Sequence, residues 1–208
     1  MRSPCLLLAL LTACAHSHHD MQHRFDDAEK WAKQFDDPAR DAWQKPQEVI
    51  DALKLAPDAV VADIGSGTGY FAVRLARAVP QGKVYGVDIE PAMTEYLAQR
   101  AEKTQLANVT AVTGSAGDTK LPEEVDLALV VDTYHHIEVR SGYFARLPLK
   151  PGGRLAIIDY RKGQPMGPPE AYRVDVPQLK EELEGAGYKL VAEHTFLPNQ
   201  YFVVFSRP

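Results

Sequence analysis

The chain has 208 residues, 45% of them hydrophobic and 25% charged, which suits one globular domain large enough to bury a real core. Its formal net charge of −5 supplies no basic face for a polyanion, which argues against nucleic acid as a partner. Both cysteines, Cys5 and Cys14, fall in the first fourteen residues, so the folded part carries no disulfide, no thiolate nucleophile and no cysteine metal site.

The chain opens MRSPCLLLALLTACAHSHHD. Arg2 followed by the apolar run Leu6 to Leu11 has the layout of a signal peptide and is too short to span a bilayer as a helix. LTAC, residues 11–14, resembles a bacterial lipobox, which implies cleavage after residue 13 and lipidation of Cys14, a membrane anchor. His16, His18, His19 and His23 then make a histidine-rich spacer over 14–24. Phe25, Ala28, Trp31, Ala32 and Phe35 share a helical face, Asp37-Pro38 reads as an N-cap with proline at the first helical position, and a second helix carries Val49, Ile50 and Leu53. Residues 25–56 are therefore a helical arm. With Trp43 and Lys45 just before the core, it either closes over the site as a lid or packs as a helix on the sheet edge.

From Ala59 onward, strand alternates with helix. Strands are expected at Val60 to Ile64, Lys83 to Asp88, Val109 to Thr113, Asp126 to Asp132 and Leu155 to Tyr160. Helical stripes run through Phe71, Leu75 and Val79, through Met93, Leu97 and Ala101, over Ser141 to Leu149, and through Leu179, Leu183 and Ala186. Two last strands, near Lys189 to Phe196 and Gln200 to Phe205, meet at Pro198-Asn199, a joint tight enough to require an antiparallel pair. The pattern predicts, for 57–208, an α/β Rossmann-like fold: a seven-stranded, mostly parallel sheet, helices on both faces, and a C-terminal antiparallel hairpin.

The most informative stretch is VVADIGSGTGYF, residues 60–71. A buried strand ends at a turn with Gly65, Gly67 and Gly69, and a helix follows. Glycine permits positive φ and close approach of a ligand. Asp88 ends the next strand, nineteen residues past Gly69, near the offset of about twenty at which an acid meets ribose hydroxyls. Tyr70 holds the place of the last glycine in the dinucleotide fingerprint, which argues against an NAD-dependent oxidoreductase, and there is no phosphate loop ending in Gly-Lys-Ser/Thr.

VVADIGSGTGYF, VYGVDIEPAM, VDLALVVDTYHHI and LKPGGRLAIIDY, in that order, resemble the strand motifs of class I S-adenosylmethionine (SAM)-dependent methyltransferases, with a look of the small-molecule, quinone-biosynthesis type. The resemblance implies SAM as cofactor and a small-molecule acceptor. It implies that Asp63 orients the methionine end, that Gly65, Ser66, Gly67, Gly69 and Tyr70 form the loop around it, and that Asp88 takes the ribose hydroxyls while Ile89 packs on adenine. Asp132 would lie beside the sulfonium. Where the family often has Gly-Asp after the third strand, this chain has Gly114-Ser115, and Gly-Asp recurs at Gly117-Asp118. Either Asp118 meets the adenine amine through a longer loop or a backbone group does so.

The methyl acceptor must be held in line at about 3–3.5 Å from the carbon it attacks, and a base is needed only if the acceptor must lose a proton. His135 and His136 are the candidates, at most one of them facing the acceptor. Tyr134 and Tyr160 are candidates to orient it, and His194 reads as structural. Asp132, His135 and Asp159 have the residue types of a catechol-type metal site but no spacing argument, so no metal is expected. The absence of core cysteines excludes a cysteine relay for arsenic. The alternative to an enzyme acting on a lipophilic or membrane-associated acceptor is a non-catalytic protein of the same fold at the cell envelope.

Overall fold

A computed structural model of the chain describes Phe25 and residues 27–208. The expected signal peptide, Cys14 and the spacer histidines lie outside the described residues. Among the described residues, no helix is long and apolar enough to cross a membrane.

Seven strands form one sheet: β1 (Val60–Ile64), β2 (Lys83–Asp88), β3 (Val109–Thr113), β4 (Val125–Val131), β5 (Leu149–Tyr160), β6 (Lys189–His194) and β7 (Gln200–Ser206), in the order β3-β2-β1-β4-β5-β7-β6. The first five pair in parallel, and β7 runs antiparallel to both β5 and β6. Side chains alternate across the pleat. Val61, Leu127, Leu129, Ala156 and Ile158 face one apolar layer, which includes helices α3 (Pro46–Leu53) and α4 (Ala72–Ala78) and Leu97 of α5 (Pro91–Lys103). Val60, Ala62, Ile64, Ala128 and Val130 face the other, with α6 (Arg140–Ala145) and α7 (Val176–Gly185). β1 and β4 lie side by side although β2 and β3 separate them in sequence. The strand order thus reverses between them and opens a crevice at their C-terminal ends.

The arm before β1 holds α1 (Ala28–Phe35), a single 3-10 turn (Pro38–Arg40) and α2 (Asp41–Gln44) ahead of α3. Asp37 caps the turn as expected, its carboxylate accepting from Ala39 N at 2.8 Å. β6 ends at His194, two residues short of expectation, and a larger difference lies before β5. The helix expected over 141–149 is only α6, and Leu149 already opens β5. Lys150-Pro151-Gly152-Gly153 sits inside that strand, where the pairing with β4 shifts register. A β-bulge absorbs the extra residues, and a Pro/Gly-rich string therefore resembles a helix stop in sequence.

Candidate cofactor and acceptor site

β1 delivers Asp63 to the crevice. Its side chain is buried at 3% exposure, and burial lifts its pKa to about 7, against the opposing pull of the Ala72 backbone N–H and of Arg40. Its Oδ2 has no hydrogen-bond partner among the described residues, nor do the buried hydroxyls of Ser66 and Thr68. Unpaired buried polar atoms are costly, and three of them along one glycine turn mark a place built for a ligand.

The turn is shaped by close approach. Gly65 has φ +72°, and a β-carbon there would lie 2.2 Å from Thr133 Oγ1, so the residue must be glycine for two independent reasons. Its N–H and that of Ser66 both donate to Val87 O, at 2.8 and 3.0 Å, which ties the turn to the end of β2. There Asp88 accepts from Gly67 N at 2.8 Å and from Glu90 N at 3.0 Å. Burial raises its pKa, and these amides oppose the shift. Ile89, next along, is 54% exposed, an open apolar shelf. Asp118 is exposed in the turn after β3, its Oδ1 accepting from Lys120 N at 2.8 Å. It acts electrostatically on Tyr143, as Asp88 does.

β4 ends beside β1 and delivers Asp132, a non-glycine residue with φ +53°. Such strain in an acid at a crevice points to a positioned group. Asp132 Oδ1 accepts from Gln200 Nε2 at 2.5 Å, and Oδ2 faces Arg40 at 3.5 Å. Burial holds its pKa at about 7, opposed first by Arg40. His135 is 4% exposed at its side chain, and its Nδ1 lies 2.9 Å from Oδ2 of the equally buried Asp159. Asp159 also accepts from the backbone N–H groups of His135 (3.2 Å) and Tyr160 (2.7 Å). The two histidines thus differ: His135 is held by a carboxylate, whereas His136 is exposed, packs 4.2 Å from the His135 ring and meets Phe25 edge-on. Tyr134 does not face an acceptor. It is fully buried, stacks on Phe144 and donates to Glu182 Oε2 at 2.7 Å. His194 packs against Phe202 on the hairpin. Asp132, His135 and Asp159 do not form a group placed to hold a metal ion, and no other such group occurs among the described residues.

The arm lies over the turn. Phe35 would be 3.4 Å from a β-carbon on Gly67. Arg100 donates to Asp36 (2.6 Å) and to Thr68 O (2.9 Å). Tyr70 donates to Asp41, which also pairs with Arg74. Gln44, fully buried, donates to Gln200 Oε1 at 2.9 Å. A cavity of about 320 Å³ lined by Lys54, Asp126, Lys150 and Arg154 lies at the opposite, N-terminal edge of the strands, away from where such sheets bind ligands.

The glycine turn, the carboxylate at the end of β2, the strand-end acids and the sheet order together match the methyltransferase form of the α/β fold. A family model described as "Methyltransferase domain" matches residues 55–195, and the chain belongs to that family. A SAM-dependent methyltransferase from Aquifex aeolicus superposes with a TM-score of 0.79 at 26% identity, covering 86% of this chain and 98% of that one. Among curated proteins, a protein-L-isoaspartate O-methyltransferase from Aeropyrum pernix is 32% identical over 130 residues, 59% of this chain and 44% of its own length. A demethylmenaquinone methyltransferase from a Geobacillus species is 28% identical over 109 residues, 47% and 43% respectively. The chain spans less than half the length of the curated relatives it matches. Those relatives are named for unlike acceptors.

Sequence reasoning missed Arg40, Gln200 and the role of Asp159 as partner of His135. Arg40 and Gln200 reach the site from distant stretches of chain outside the quoted motifs, whereas Asp159 lies in LKPGGRLAIIDY, where nothing marks it as the partner of a residue after β4.

Proposed function

We propose that the chain is a SAM-dependent methyltransferase acting on a small-molecule acceptor, with His135 as the base. The observation that carries the reading is Asp63 Oδ2, a buried acceptor without a partner among the described residues, at a glycine turn whose other side is tied to Asp88. These groups fit SAM: Asp63 faces the methionine ammonium, Asp88 the ribose hydroxyls, Ile89 the adenine and Asp132 the sulfonium. When bound, SAM supplies a methyl group already activated on sulfur, and the pair of electrons of the broken S–C bond stays on that sulfur.

The protein's part is then positioning and proton handling. Asp159 fixes the His135 ring through Nδ1, so Nδ1 carries the proton and Nε2 is left free to accept one. Nε2 takes the proton of an acceptor hydroxyl as its oxygen forms the new bond to carbon. Tyr160, beside Trp43 of the arm at 6.3 Å between ring centroids, borders the acceptor space. The arm excludes water while it is closed. A lipid anchor at Cys14 would hold the domain at a membrane surface, which suits a lipophilic acceptor.

Titration calorimetry with SAM, S-adenosylhomocysteine and NAD tests the cofactor. SAM and its product bind and NAD does not; absence of SAM binding overturns the reading. Transfer of labelled methyl from SAM into an envelope lipid and quinone extract then tests catalysis, and binding without any transfer leaves the non-catalytic alternative standing.

A further inference from the structure

We infer that the face of the domain that opens onto the crevice is a bilayer-docking surface. The Cys14 anchor holds that face toward the membrane, Val139 and Tyr172 at its rim enter the lipid, and the acceptor reaches the site from the bilayer. The inference rests on the anchor proposed above and not on the cofactor. Phe25, the first described residue, packs beside the site: its ring meets His136 edge-on at 6.3 Å and lies 4.8 Å from Trp31. His136 adjoins His135 in the turn that follows β4. The chain therefore arrives at the domain next to the crevice.

Covalent geometry limits the tether. Phe25 is eleven residues past Cys14, and a fully extended chain covers at most about 3.3–3.6 Å per residue, roughly 40 Å in all. A compact domain of about 180 residues has a radius of gyration near ~16 Å, so the way over its surface to the opposite pole is roughly 60 Å. The anchor cannot reach around the domain, which excludes laying the far, N-terminal edge of the strands on the membrane. The rim selects among the orientations that are left. Four large hydrophobic side chains are exposed among the described residues: Ile89, Val139, Tyr172 and Val191. The first three lie in the segments that leave the C-terminal ends of β2, β4 and β5. Ile89 is the shelf proposed for adenine. Val139, 71% exposed, and Tyr172, 42% exposed, have no part in the site. An aliphatic side chain that enters hydrocarbon and a tyrosine ring that sits among headgroups suit a membrane interface. The arm on the same face carries no excess of basic residues, so tether and apolar contact hold it there rather than attraction to anionic lipid.

The chain has two tryptophans, Trp31 and Trp43, both half-buried in the arm on this face, and they report the contact without a label. The processed chain, beginning at Cys14, has that one thiol. It is coupled through Cys14 to a maleimide lipid in phosphatidylethanolamine–phosphatidylcholine vesicles with brominated acyl chains. Tryptophan emission then falls in proportion to the brominated lipid, at low and at high salt alike. A control chain with Cys14→Ser and Pro208→Cys is tethered from the opposite edge, where Ser206 pairs with Arg154 and Lys189, and keeps its emission. Val139→Ser with Tyr172→Ser recovers emission under the Cys14 tether. Unquenched tryptophans under that tether, equal quenching from both tethers, or quenching untouched by the rim substitutions would each overturn the inference. Mass spectrometry of the chain made with its leader in a bacterium decides the anchor separately. A Cys14 without lipid removes the anchor and this inference with it, whereas a lipidated Cys14 with unquenched tryptophans overturns the orientation alone.

Discussion

The amide of Gly67 donates to Asp88 Oδ2 at 2.8 Å, joining the glycine turn to the carboxylate at the end of β2. The bond couples two features that a nucleoside needs together: a backbone it can approach closely and an acid for its ribose. Asp88→Ala removes the brace on the turn and, on the proposed reading, the ribose contact as well. SAM affinity falls by roughly ten- to a hundredfold, the value of one or two hydrogen bonds to a charged group. Calorimetry reads the loss; an unchanged dissociation constant would remove the acid from the cofactor site.

His135 and Asp159 form a buried couple, and its chemical role separates from cofactor binding. Asp159→Asn keeps the shape but can present its amide to Nδ1, favouring the wrong tautomer for a base at Nε2. Methyl transfer falls by roughly 10²- to 10⁴-fold, the usual contribution of general base catalysis, while SAM affinity is retained. His136→Gln, at the exposed neighbour, changes the rate little. A rate unaffected by both Asp159→Asn and His135→Gln in the labelled-methyl assay would mean that the acceptor reacts without losing a proton to this couple.

Much of this architecture was legible in the sequence because burial leaves periodic marks. β1 through β4 lie within a residue of where apolar runs placed them, and the terminal hairpin follows from a short joint, residues 195–199 in the fold, that permits only antiparallel pairing. The start of β5 was not legible, because a bulge and a helix stop use the same Pro and Gly residues. Asp63 and Asp88 stood out by their offsets from glycines. Arg40 did not: it meets Asp132 across 92 residues of sequence, and a lone arginine in a short turn carries no pattern from which such a contact can be read.

Gly65 is constrained by sterics as well as by φ. In Gly65→Ala the methyl would fall 2.2 Å from Thr133 Oγ1 at φ +72°, so either the turn or the segment after β4 must shift. A destabilisation of about 1–3 kcal/mol lowers the melting temperature by several degrees at about 2–4 °C per kcal/mol. SAM binding is lost at the same time. Adding Thr133→Gly removes all three side-chain atoms within 2.7 Å and recovers the steric part of the loss but not the φ strain. A double variant as stable as Thr133→Gly alone would show that the left-handed conformation costs nothing there.

The two strand-end acids make cofactor binding and stability respond to pH in opposite directions. Asp63 and Asp132 are each lifted to about 7 by burial, above the usual 3.9 or so of an unfolded aspartate. A raised carboxyl pKa means that the folded chain holds protons the unfolded chain has released. Their contribution to stability is therefore fully present below about pH 4 and is lost as pH rises through about 7. On the proposed reading the ammonium and sulfonium of SAM meet these acids in ionised form, so affinity rises across the same range, by up to about tenfold per pH unit for each acid that must lose its proton, and levels off above pH 7 to 8. Calorimetry from pH 5.5 to 8.5 reads the slope, and thermal melts of the free chain read the opposing trend. Asp63→Asn flattens both curves in part while lowering affinity at high pH. SAM affinity independent of pH across that interval would show that neither acid changes its protonation when the cofactor binds.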